Sequence, residues 1–165
     1  MEREALLSKV FETARHNEKT YFGCTQAVLA ALQETMGVGS QEVFKAGTPL
    51  AGGVAGRGET CGALTGALLA IGTLVGRERL EDREKQGAAM EPATKVYLGF
   101  QEAIGHTNCQ EIHKILYGRA YRPWVPEERD ALHADMAKYS KACPEVCGHA
   151  ARIAAEVILA IRNAS

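Results

Sequence analysis

The sequence lacks several things that would have assigned it a chemistry at once. No C-x-x-C occurs, which removes a thioredoxin-like active site and a ferredoxin run. No C-x-x-C-H occurs, so covalent haem attachment of the c type is not expected. Aromatic residues are scarce at 6%, with a single tryptophan. Neither charge dominates: 19 Lys and Arg face 20 Asp and Glu, a net charge of -1, so no general affinity for nucleic acid or membrane surface is implied. The longest apolar run, Cys61 to Gly76, falls short of the ~20 residues needed to cross a bilayer. Acids at Glu2 and Glu4 stand where a secretory signal needs basic and then apolar residues, so no export is expected. Alternating apolar runs of the strand type are missing. No Ser/His/Asp arrangement, paired-carboxylate signature or zinc-protease helix is present. The loop Gly52-Gly53-Val54-Ala55-Gly56-Arg57-Gly58 lacks the Gly-Lys-Ser/Thr ending of a phosphate loop and follows no strand.

What is present is a small-residue stretch that organises the rest. Cys61 to Gly76 is uncharged and rich in Gly and Ala, and reads as a central buried helix of roughly four turns. Its glycines recur four apart, Gly62/Gly66 and Gly72/Gly76, so each pair shares a helix face that a neighbouring backbone can approach. A Gly-rich loop precedes it, read as a cover over Cys61 with Arg57 near the thiolate.

The remaining segments read as helices. Glu2 to His16 carries Leu6, Leu7, Val10, Phe11 and Ala14 at helical spacing, and a polar turn, Asn17 to Thr20, follows. A helix opens at Cys24 and runs to about Met36, stopped by Gly37 and Gly39. Ser40 caps Gln41 to Ala46. Glu81 to Gln86 reads as a solvated helix face. Pro92 starts or kinks a helix that ends at Gly105. Asn108 caps the next one, with Glu111 near a capping-box position. Pro126 starts another, Glu127 to Tyr139, and Cys143-Pro144 opens the last. The expectation is an all-α, single-domain bundle of about seven helices spanning residues 1–165.

Four of the five cysteines, Cys24, Cys61, Cys109 and Cys143, fall at these predicted helix N-termini. Unpaired N–H groups and about half a positive charge there favour thiolate over thiol. A lowered pKa makes cysteine a nucleophile or a metal ligand. Cys147 lies one turn into the last helix, where an apolar filler would fall. An odd cysteine count without an export signal points to the reducing cytoplasm and away from structural disulfides. His113 follows Cys109 by one turn and His149 follows Cys147, so zinc is a lesser alternative.

These blocks resemble the C_GCAxxG_C_C family of redox-active proteins. Phe22-Gly23-Cys24-Thr25-Gln26-Ala27-Val28-Leu29 resembles its first motif, and Cys61-Gly62-Ala63-Leu64-Thr65-Gly66 its central signature. Gly105-His106-Thr107-Asn108-Cys109 resembles its third cysteine site, and Cys143-Pro144-Glu145-Val146 its fourth. The central block here runs Cys-Gly-Ala, where the pattern's name runs Gly-Cys-Ala. A similar domain occurs in split-Soret cytochromes, where an iron–sulfur centre accompanies haem. The resemblance therefore implies redox function without haem and leaves the cofactor open.

Three readings follow. In the first, Cys24, Cys61, Cys109 and Cys143 hold an iron–sulfur cluster, most simply 2Fe–2S, since four soft thiolates suit such a centre. In the second, Cys61 is the attacking thiolate of a metal-free dithiol, with Cys24 or Cys109 as resolving partner. In the third, the cysteines are buried small residues of a helical interaction module. A redox partner is expected for the first two, and a homodimer is compatible with the sequence.

Overall fold

The computed structural model describes residues 2–164. Its elements in chain order are α1 (Arg3–Tyr21), α2 (Cys24–Met36), α3 (Gln41–Gly47), a 3-10 turn (Thr48–Leu50), α4 (Gly62–Val75), α5 (Arg83–Ile104), α6 (Cys109–Tyr117), α7 (Pro126–Lys138) and α8 (Cys143–Ala164). The fold is all-α, with eight helices where about seven were expected and no strand among the described residues. One isolated antiparallel bridge joins Thr60 to Asn108.

Helices α1, α2, α4, α5 and α8 pack into the main bundle, and α4 touches three of the others. Its Leu64, Ala67, Ala70 and Ile71 are buried in the core. Burying a side chain the size of Leu64 contributes about 1.5–3 kcal/mol. The close approach expected at Gly62 and Gly66 is made by α2. A Cβ on Gly66 would lie 2.5 Å from the Thr25 carbonyl oxygen, and one on Gly62 would lie 2.3 Å from Cys24 Sγ. Gly72 behaves differently: a Cβ there meets nothing within 4 Å. On the other side of the bundle α8 presents Ala150, Ala151, Ala154 and Ala155, all fully buried, and α1 packs along it.

Helix ends follow local chemistry. Side chains of Ser40, Asp82 and Asn108 accept from the backbone N–H of Val43, Lys85 and Glu111 at 3.3, 3.2 and 3.1 Å. Each such cap stabilises its helix by about 1 kcal/mol. Two boundaries differ from expectation. Helix α1 continues through Asn17–Thr20, because the buried stripe Leu7, Val10, Ala14 extends one more turn to Glu18. It stops where Phe22 and Gly23 take φ of 60° and 89°. Helix α5 begins at Arg83 and carries Pro92 inside it. The charged stretch from Glu81 to Gln86 is exposed and includes the first turn of that helix.

Helices α6 and α7 form a smaller layer with its own apolar cluster, in which Tyr121, Leu132 and Met136 are buried and Tyr117 and Cys143 pack against them. Among the described residues no helix is long and apolar enough to cross a membrane.

Candidate redox site

The backbone around α4 brings two cysteines together first. The loop 51–59 turns through left-handed positions, Gly52, Gly53, Val54, Ala55, Gly56 and Gly58, and folds back on itself. Gly53 is required at the crossing: a Cβ there would lie 2.5 Å from the Glu59 nitrogen and 2.7 Å from Cys109 Cβ. The chain then runs beside the start of α6. Cys61 N–H donates to the Thr107 carbonyl at 2.9 Å, and Cys109 N–H donates to the Glu59 carbonyl at 2.6 Å. Cys61 and Cys109 are thereby tied through main chain alone.

The other thiols arrive from separate helices. Cys24 opens α2 after the Phe22-Gly23 reversal, and its sulfur occupies the space that the missing Gly62 side chain leaves. Cys143 opens α8, held from both sides by Tyr117: the Cys143 N–H donates to the Tyr117 hydroxyl at 2.9 Å, and that hydroxyl lies 3.3 Å from Cys143 Sγ. Cys147 follows one turn on, fully buried, 3.9 Å from the Cys24 carbonyl oxygen.

All five cysteines line one cavity of ≈ 250 Å³, between the end of the main bundle and the α6–α7 layer. All five are free thiols. Glu18 and His113 line it as well, and Phe22, Arg129 and His133 stand at its more exposed side. The Phe22 ring stacks on His133 with centroids 3.8 Å apart and planes 7° from parallel.

Burial dominates the electrostatics. It pushes the Cys61 thiol up to about 11 and Cys109 up to about 12, and it holds Cys24, Cys143 and Cys147 well above the ordinary 9.0. The expected helix-terminus effect is present at Cys61 but smaller, while the opposing hydrogen bonds at Cys24 and Cys143 come from a loop amide and a side chain. Backbone N–H groups of Ala63 and Leu64 pull Cys61 down, Gly52 does so for Cys24, and the Tyr117 hydroxyl for Cys143. A helix terminus supplies up to ~2 kcal/mol, near one and a half pKa units, whereas full burial shifts a group by up to ~3–5 units. The lowered thiol pKa expected from sequence is therefore corrected: these cysteines are protonated at neutral pH. Arg57, expected near the Cys61 sulfur, instead lies over the Trp124 ring, 5.6 Å from its centroid.

Glu18 and His113, on the cavity wall, are also neutralised by burial. His113 is lowered to about 4. Its Nδ1 accepts the Tyr121 N–H at 3.4 Å, which leaves the proton on Nε2, 3.7 Å from Cys109 Sγ. Glu18 is 5% exposed and is pushed up to about 8, and its Oε2 has no hydrogen-bond partner. The second Cys/His pairing read for zinc does not form. His149 lies outside the cavity lining and packs edge-on against Phe11 at 5.1 Å.

Sequence reasoning overlooked Glu18, although it sits four residues after Ala14 on the buried stripe of α1. It set Cys147 aside because that residue lies one turn into the last helix, where an apolar filler would fall, and outside the four-cysteine pattern. The role of Tyr117 rests on a contact between α6 and α8 that has no sequence signature.

Fold and site define an all-α protein with its cysteines gathered around one buried space, and the redox description comes from the comparison with known families. The family model described as "Putative redox-active protein (C_GCAxxG_C_C)" matches residues 22–157. The chain belongs to that family. No curated protein and no solved structure matches it.

Proposed function

We propose that the protein is an electron carrier whose cavity holds an iron–sulfur cluster, most simply 2Fe–2S, through Cys24, Cys61, Cys109 and Cys143. The observation that carries this reading is the convergence of those four cysteines, from four different helix starts, on the wall of one cavity. Among the described residues no three His, Cys, Asp or Glu side chains form a group that could hold a single metal ion. The thiols surround a volume instead. A space of ≈ 250 Å³ far exceeds the ~10–15 Å³ that one water needs, so a guest of several atoms suits it better than one ion. Soft sulfur donors match iron–sulfur chemistry.

When bound, such a cluster takes up and releases single electrons. The chain's own groups then do the rest. Thiol protons leave as the sulfurs become ligands, which couples loading to pH. The N–H groups of Gly52, Ala63 and Leu64 and the Tyr117 hydroxyl offset negative charge on the sulfurs and raise the potential. The apolar walls, Ile112, Leu132, Met136 and Val146 among them, keep water away. An electron partner would approach the side where Phe22, His133 and Arg129 stand. The high thiol pKa values weigh against the metal-free dithiol, which needs an attacking thiolate near neutral pH.

Anaerobic reconstitution with ferrous iron and sulfide tests the reading. Wild type is expected to turn brown, with iron and sulfide bound in stoichiometric amounts, and Cys61→Ser to lose both. Wild-type protein that binds neither iron nor sulfide without oxygen would overturn it.

A further inference from the structure

Glu18 is the one ionisable group of the cavity lining that lies outside the segment matched by the family, which begins at Phe22. Its side chain is nine-tenths buried, and among the described residues its Oε2 is the one buried side-chain oxygen or nitrogen without a hydrogen-bond partner. Nothing in the bundle uses it. The helix turn it sits on is closed by backbone alone, through Phe22 N–H to the Glu18 carbonyl at 3.1 Å. An alanine or leucine at this point of the α1 stripe, beside Ala14 and Val10, would pack without an orphaned oxygen. Glu18 lines the same cavity as all five thiols.

We propose that Glu18 supplies an oxygen donor to the metal centre of the cysteine cavity, giving it a mixed sulfur and oxygen ligand set. This rests on the iron–sulfur reading above. A carboxyl group that the protein leaves unpaired is completed by what enters the cavity. Iron accepts a carboxylate oxygen beside thiolates, whereas a site built for a softer metal alone gains nothing from one. As iron binds, the carboxyl proton leaves to solvent with the protons of the ligating thiols, and the carboxylate oxygen forms the new bond. An iron with one oxygen donor then differs electronically from one held by sulfur only. A 2Fe–2S cluster offers four protein positions, so Glu18 takes one of them in place of one of the four thiols, which keeps its proton beside the cluster; the other three remain ligands, and Cys147 a wall of the cavity.

The test compares wild type with Glu18→Gln and Glu18→Cys, each reconstituted anaerobically with iron-57 and sulfide and checked for native helicity. Mössbauer spectra of wild type are expected to show two inequivalent irons, one with the higher isomer shift of oxygen ligation. Glu18→Cys is expected to bring that iron to the sulfur-only signature. Glu18→Gln is expected to lose iron to a chelator roughly tenfold faster than wild type. Superimposable spectra and equal chelator rates for all three proteins would overturn the oxygen donor and leave the cluster reading intact. Wild type without any cluster would overturn both together.

Discussion

Three glycines of α4 form an internal comparison, because one substitution meets three different surroundings. Gly72→Ala places a methyl group in open space on an exposed turn. Its only effect is helix propensity, a gain of about 0.5–1 kcal/mol. Gly66→Ala places the same methyl 2.5 Å from the Thr25 carbonyl oxygen and 3.2 Å from the Thr25 Cα, both backbone atoms of α2. The helix must move, since no side chain can rotate away. Overpacking of this kind costs about 1–3 kcal/mol, and the backbone partner places it near the top of that range. Allowing for the propensity gain, Gly66→Ala should be less stable than wild type by ~2 kcal/mol, which puts it ~3 kcal/mol below Gly72→Ala. For a chain of this length that gap separates the melting temperatures by roughly 6–12 °C. Gly62→Ala overlaps Cys24 Sγ at 2.3 Å and Thr25 Oγ1 at 2.7 Å. Side-chain atoms can give way there, so the loss should be smaller, but the Cys24 sulfur is driven off its place in the cavity. Urea and thermal unfolding of the three variants, under reducing and metal-free conditions, measure all of this. Equal stability of Gly66→Ala and Gly72→Ala would refute the close α2–α4 contact on which the placement of Cys24 depends.

Two further outcomes are expected of the metal-free protein. Glu18 has a folded pKa of about 8 against an ordinary 4.5, so the folded state holds a proton that the unfolded state has already lost. Its contribution is complete below pH 4.5 and is lost as pH rises to 8, at about 1.4 kcal/mol per pH unit. Glu18→Gln removes this slope and should be the more stable protein at pH 8. Comparing the two proteins cancels His113, whose neutral folded form acts in the opposite sense between about pH 4 and 6.5. Parallel pH profiles in urea titrations would contradict the burial of this carboxyl. Phe22→Ala removes the ring stacked on His133 and should speed the reaction of native cysteines with a bulky thiol reagent several-fold at pH 8. An unchanged rate would mean that the stack does not limit access.

The local part of this structure was readable from sequence. Asn108 caps α6, Gly37 ends α2, and Cys24 and Cys143 open their helices, because each boundary is written by one or two adjacent side chains. The Gly62/Gly66 face was readable for a similar reason, since spacing alone puts both glycines on one side. What escaped depends on distance across the fold. The acidity of the thiols was misread because helix position is local, while desolvation is set by everything packed around the sulfur. The end of α1 was misread because Asn17 to Thr20 look like a turn until Glu18 is seen as a buried residue. The Tyr117–Cys143 contact and the stacking of Phe22 on His133 join elements whose meeting only the whole bundle determines.

The pair of main-chain bonds at Cys61 and Cys109 has an evolutionary consequence. Thr107 and Glu59 accept through carbonyls, which every amino acid carries, so drift in the side chains of those positions leaves the distance between the two sulfur-bearing residues unaltered. Helices α4 and α5 lie between them on the chain and belong to the core, but the exposed turn that joins these two helices, residues 76–82, is free to vary in length. Homologues with a longer or shorter turn there should therefore keep this half of the cavity to the same gauge, while the half that hangs on the Tyr117 phenol should change whenever that one residue does.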